Sequence, residues 1–203
     1  MQSKFRGIFH RPDEDPGNRS AKFLSRMFGI FSEKIVDVWA RDTRAPYVGL
    51  GRPTLRFPGD VRGHTLDFTL LHRNSELIFA AEMKCEIEYM NFRYFVLESA
   101  QQLDHHSKPA FEAFLKAAKT PELAAAKVAR KPIRIDGAIL VWGAIDADAV
   151  EQIKQEVGFY DILSIEEICR DLATWENKEY LDLIEQYRSW SNRLFDGLIT
   201  GTS

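Results

Sequence analysis

Asp67, Glu82 and Lys84 combine residue types and a spacing that could do chemistry: an aspartate, fourteen residues, then Glu-x-Lys, inside LDFTLLHRNSELIFAAEMKCE at 66–86. The stretch reads as two apolar strands around a turn at His72-Arg73-Asn74-Ser75-Glu76, where polar residues break both apolar runs. With Asn74 and Ser75 as the central turn residues, Arg73 faces Glu76 and Asp67 falls opposite Glu82. Side chains alternate along a strand, so Asp67 shares a face with Thr65 and Thr69, and Glu82 shares one with Lys84. Two carboxylates and one ammonium then converge on one side of the hairpin. Opposed like charges are destabilising, and Lys84 offsets only part of that repulsion. A hard divalent ion held by carboxylate oxygens and water supplies the rest, and Mg²⁺ fits such a ligand set. A one-residue slip of register would undo the arrangement. The plainer alternative is a solvated charge cluster on an exposed sheet face. It fits poorly with Ile78, Phe79, Ala80 and Ala81, which suggest a strand covered on both sides.

Composition bounds what surrounds such a site. At 203 residues and 23.3 kDa the chain suits a single domain, 1–203, with a sizeable core and no evident linker. Hydrophobic residues at 45% and charged residues at 28% are ordinary for a soluble globular protein. No apolar run reaches the roughly 18 residues of a membrane span, and MQSKFRGIFHRPDEDPGNRS lacks the apolar centre of a signal peptide. A cytoplasmic protein with no membrane partner is expected. Cys85 and Cys169 have no metal-ligand spacing and read as reduced core thiols. The net charge of −3 conceals an asymmetry: residues 1–73 carry 13 Lys and Arg against 8 Asp and Glu, whereas residues 74–203 carry 14 against 22. Arg41, Arg44, Arg52, Arg56 and Arg62 lead into the strand of Asp67, which suits a bound polyanion such as nucleic acid. Solvated surface arginines are the alternative reading.

The elements that must position these residues follow from periodicity and punctuation. Ser20 can cap a helix running to about Ala40, with Phe23, Met27, Ile30, Phe31, Ile35 and Val38 on its apolar face and Glu33 and Asp37 on one flank. YVGLGRPTLRFPGD at 47–60 reads as an irregular segment with one short strand near Thr54 to Phe57. After the hairpin the pattern predicts a helix from Tyr89 to about His106, then one or two helices over 110–130 broken near Thr120-Pro121. IRIDGAILVWGAI at 133–145 is the clearest buried strand. A helix over Ala147 to Val157, a strand near Tyr160 to Leu163 and a helix over 164–174 follow. The last helix places Tyr180, Leu183, Ile184, Tyr187, Trp190 and Leu194 on one face, as core or as a dimer contact. Helices on either side of a mixed sheet imply an α/β sandwich, and the connection from the Glu82 strand to the 133–145 strand is long enough for a parallel crossover.

This order, with Asp67 followed by Glu82-Met83-Lys84, resembles the PD-(D/E)xK nuclease superfamily over a core of about 20–145, with 146–203 as a peripheral strand and helices. The resemblance implies the restriction-endonuclease-like α/β/α sandwich with a central mixed β-sheet. It further implies a metal-dependent nuclease hydrolysing phosphodiester bonds in nucleic acid, DNA rather than RNA, of restriction, repair or defence type. Carried over by position, Asp67 and Glu82 become metal ligands, the main-chain carbonyl of Met83 a further oxygen ligand, and Lys84 the group that orients or activates the attacking water. Mg²⁺ is the implied cofactor, with Mn²⁺ as substitute. Glu33 matches the acid that many members carry on the first helix, with Asp37 as its rival, and Gln101 or Gln102 matches a supporting glutamine. One position departs: Leu66, not Pro, precedes Asp67. A homodimer would permit double-strand cleavage. The alternative from another class is a non-catalytic nucleic-acid-binding or scaffold protein that keeps the fold.

Other candidates carry less. In Asp104-His105-His106 the adjacent histidines point in different directions, and a cation-favouring helix end explains them more simply than a metal. Gly49-Leu50-Gly51 lacks the strand-turn-helix setting of a phosphate loop.

Overall fold

The computed structural model describes residues 20–84 and 95–200. Helix α1 (Ser20–Arg41) forms where the apolar stripe predicts it and buries Ile35, Val38 and Trp39. Strand β1 (Tyr47–Gly51) follows, then β2 (Pro53–Arg56), β3 (His64–Thr65), β4 (Phe68–His72) and β5 (Ile78–Lys84). Beyond them come β6 (Val96–Leu97), helix α2 (Pro109–Lys119), β7 (Ala125–Val128), β8 (Lys131–Ile133), β9 (Gly137–Trp142) and β10 (Ala144–Ile145). Helix α3 (Val150–Val157), β11 (Asp161–Ser164), α4 (Ile165–Thr174) and α5 (Lys178–Thr200) complete the described chain.

The main sheet has the order β1-β4-β5-β9-β11. Strands β1, β4 and β5 form an antiparallel meander, while β5 with β9, and β9 with β11, run parallel. Each residue of β9 is buried, as a strand covered on both faces requires. One core packs Phe79, Ala81, Met83, Ile139 and Val141 against α1 and α4; the other packs Ala80, Leu140 and Trp142 against Phe111 and Phe114 of α2. The fold is therefore α/β, with a mixed central sheet and helices on both of its faces. No helix among the described residues is long and apolar enough to cross a membrane.

The hairpin register is the expected one, with Phe68 opposite Ala81 and Leu71 opposite Ile78. The turn differs from the tight two-residue form. Glu76 N donates to His72 O, His72 N donates to Leu77 O, and Glu76 adopts φ 57°.

Three expectations are corrected. The segment 47–60 is not irregular: Tyr47–Gly51 is an edge strand of the main sheet, bulged before Gly51, whose φ of +105° suits glycine. The second helix expected within 110–130 is replaced by the β7/β8 hairpin, because pairing with β2 overrides the helical leaning of an alanine-rich run. The expected helix from Tyr89 to His106 lies partly outside the described residues; its described part is the β6 strand and a 3₁₀ turn at Ala100–Leu103. Strands β3, β2, β7 and β8 form a second, four-stranded sheet beside the first.

Candidate functional site

Asp67 stands in a bend between β3 and β4, one residue before the β4/β5 ladder begins. Leu66, fully buried, anchors the bend by donating its N–H to Pro53 O at 3.0 Å. Because the chain turns away here, the Met83 N–H has no carbonyl of β4 beside it and donates to Asp67 Oδ2 at 2.9 Å instead. That bond fixes the Asp67 carboxylate at the end of β5. Its other oxygen, Oδ1, accepts from Arg52 Nη2 at 3.3 Å, and Arg52 Nε donates to Leu66 O.

Glu82 projects from β5 into the interior with 6% of its surface exposed. Its Oε1 accepts from Lys84 Nζ at 2.5 Å, and the same ammonium donates to Met83 O at 3.2 Å. Lys84 also lies over the Phe111 ring of α2, 5.3 Å from its centre. Glu82 Oε2 is buried with no hydrogen-bond partner, and so is Oγ1 of Thr69, which points to the same face of the hairpin. Burial raises the Glu82 carboxyl pKa; Lys84 opposes this and the Asp67 charge adds to it. A buried carboxylate oxygen left without a donor is costly as it stands, and an ion of positive charge is what would satisfy it.

Glu33 of α1 is exposed at the edge of this cluster. Its pKa is also raised, by partial burial first and by the charge of Asp67 second, with Arg52 opposing and Asp37 adding. Glu33 is thus a helix carboxylate that feels the charge of Asp67. Among the described residues no group of three or more His, Cys, Asp or Glu side chains is arranged to hold a metal. An ion here would rest on Asp67, Glu82, the Met83 carbonyl and water, a set of hard oxygen donors that suits Mg²⁺.

The glutamines play another part. Gln102, 8% exposed, accepts from Glu98 N and Ser99 N through Oε1 and donates to Val96 O through Nε2, so its amide holds its own loop together. Gln101 is exposed. His106 is not a cation at a helix end: burial, foremost, pushes its pKa down to about 3, and its ring packs against Phe111 and Trp142. Cys169 is a half-buried thiol with its pKa pushed up to about 11 by burial, while Cys85 lies outside the described residues.

The five arginines do not form one patch. Tyr47 pairs with His72 and Gly51 with Thr69, so residues before β1 sit at the hairpin-turn end of the sheet and residues after it at the Asp67 end. Arg41 is tied to Glu179 and Arg44 to Asp42, far from Asp67 along the strand. Arg44 also donates to Trp175 O. Both side chains are thus engaged in ion pairs while remaining exposed. Arg52 is at the site, and Arg56 and Arg62 belong to the β2/β3 hairpin, where Arg56 donates to Asp60 O. The contacts of Arg52 with Asp67 and of Phe111 with Lys84 carry no sequence signal of their own, since each arises from packing between distant segments.

On α5 the expected apolar face is covered only in part. Tyr180 and Leu183 pack on the core and Tyr187 meets Phe31 edge to face, whereas Trp190 is 57% exposed.

No protein-family profile, curated protein or solved structure matches this chain. The functional reading therefore rests on the geometry above.

Proposed function

We propose that Asp67, Glu82 and Lys84 form the centre of a Mg²⁺-dependent phosphodiesterase that cleaves nucleic acid, DNA rather than RNA, with Mn²⁺ as a substitute ion. The observation that carries this reading is the buried Glu82 carboxylate, one oxygen held by Lys84 and the other without a donor, beside a second carboxylate pinned by a main-chain N–H. The setting supports the resemblance to the restriction-endonuclease-like fold: a helix precedes the motif, a hairpin carries it, and a helix and a buried parallel strand follow. Asp67, Glu82 and the Met83 carbonyl would hold the ion, with Glu33 near enough to bias it. Such an ion polarises phosphoryl oxygens and lowers the pKa of its water. Lys84, fixed between Glu82 and the Phe111 face, is placed to hold the attacking water and to steady negative charge developing on the phosphate. Arg52 offers an exposed guanidinium for a neighbouring phosphate.

Cleavage of supercoiled plasmid with Mg²⁺ or Mn²⁺ tests this directly. Wild type should nick or linearise the plasmid, and Asp67→Ala and Lys84→Ala should each lower the rate by about 10²-fold or more. A second reading, a binding protein that keeps the fold without the chemistry, is favoured by the way Arg52 and Lys84 already neutralise both carboxylates. Binding without any cleavage would establish it.

A further inference from the structure

The four-stranded sheet beside the site carries cations that the first half of the chain does not supply. Arg130 forms the tip of the β7/β8 hairpin and Lys127 lies on β7, whereas Lys131, opposite Val128, belongs by register to the other face of the sheet; all three are exposed. Among the described residues no carboxylate pairs with any of them, in contrast to Arg41 and Arg44. Their placement follows from register. Pro53 lies opposite Val128, so Arg52 stands beside the Ala129-Arg130 turn, and Arg52 in turn contacts Asp67. Gly51 lets the two segments approach this closely, since a Cβ there would meet Val128 Cγ1 at 3.3 Å. Ala129 and Arg130 both adopt positive φ, 47° and 68°, a conformation glycine or asparagine would take more readily, so an arginine is kept at the tip at some conformational cost.

We infer that the exposed face of this sheet binds the sugar-phosphate backbone of duplex nucleic acid and leads it to the Asp67 end of the main sheet. This inference rests on the nuclease reading of the site. Lys127 sits in one row with Thr54, Thr65 and Pro132, a flat face of small and polar side chains around a cation. No aromatic side chain stands in that row, so the surface lacks the platforms on which single-stranded bases stack. From the hairpin tip to Arg56 the sheet runs about four residues, roughly 13 Å, enough to follow some three or four phosphates of one strand.

The test is equilibrium binding of a labelled 20-bp duplex to the intact protein in EDTA, followed by anisotropy across 50–200 mM salt. The variant Lys127→Ala/Arg130→Ala should bind at least tenfold more weakly at 100 mM salt. Its slope of log K against log salt should be shallower by about 2. The surface control Arg170→Ala/Arg188→Ala should match wild type, and Lys127→Arg should retain binding. An unchanged slope in the double variant overturns the inference, as does wild type that binds no duplex, or a loss confined to single strands. A double variant that cleaves with wild-type salt dependence rejects this surface and leaves the catalytic reading intact. Duplex binding lost in the double variant, in a protein that cuts nothing, rejects catalysis and keeps the surface.

Discussion

Glu82 stands out at the scale of single residues, because its burial and its unpartnered oxygen are costly to the fold when the carboxyl is ionised. Its folded pKa lies above the unfolded value of 4.5. The protonated form is therefore the one folding favours: that contribution is complete below the unfolded value and is lost as pH rises through the raised one. Glu82→Gln keeps the shape and an acceptor for Lys84 while removing the charge. Thermal melts of the ion-free protein should show it more stable than wild type at neutral pH by about 1 kcal/mol, a typical gain when a functional constraint is lifted. The gain should vanish near about pH 4, where wild type is itself protonated. Cleavage should be lost in the same variant. Types and spacing singled out Asp67, Glu82 and Lys84, and the structure brings the three to one end of β5. The sequence marks Arg52 as one of five cations and not as a partner of Asp67, and gives Phe111 no mark at all, because nothing in their own neighbourhoods points to a partner fifteen or more residues away.

Elements were legible where one period dominates. The stripe of α1 and the continuous apolar runs of β5 and β9 each admit one reading. Strand β1 was hidden because it is held by pairing with β4 and not by its own YVGLG sequence, whose two glycines suggest a loop. The β7/β8 hairpin was hidden by alanines that favour helix in isolation. Around β6, which pairs in parallel with β10, the loop that follows depends on a side chain as well as on that short ladder. Gln102→Ala would leave two N–H groups and one carbonyl of that loop without partners, and should lower stability by about 2–4 kcal/mol in urea unfolding. Affinity for Mg²⁺ should stay at the wild-type value, since the amide does not reach Glu82; a weakened ion site with unchanged stability would instead return Gln102 to the catalytic machinery.

For the molecule as a whole, the charge division along the sequence does not carry over into a division in space. Topology sends Arg41 and Arg44 to one end of the main sheet and Arg52 to the other, and brings the Ala129-Arg130 turn of the acidic half beside Arg52. Linear position could not reveal either step. The strand pairing has a further consequence, in time rather than in space. The meander β1-β4-β5 joins near neighbours in the chain, whereas β5 must wait for β9, with Phe79 opposite Gly137. Closing so long a loop places folding on the slow side for an α/β chain, in the millisecond-to-second range typical of non-local pairing. Leu70→Ala in the meander should slow refolding, while Ile139→Val in β9 should chiefly speed unfolding, as chevron plots of both variants would reveal. On that schedule the hairpin sets the Asp67 bend beside the end of β5 before the wall that buries Glu82 exists, and the carboxylates meet while water can still screen their repulsion.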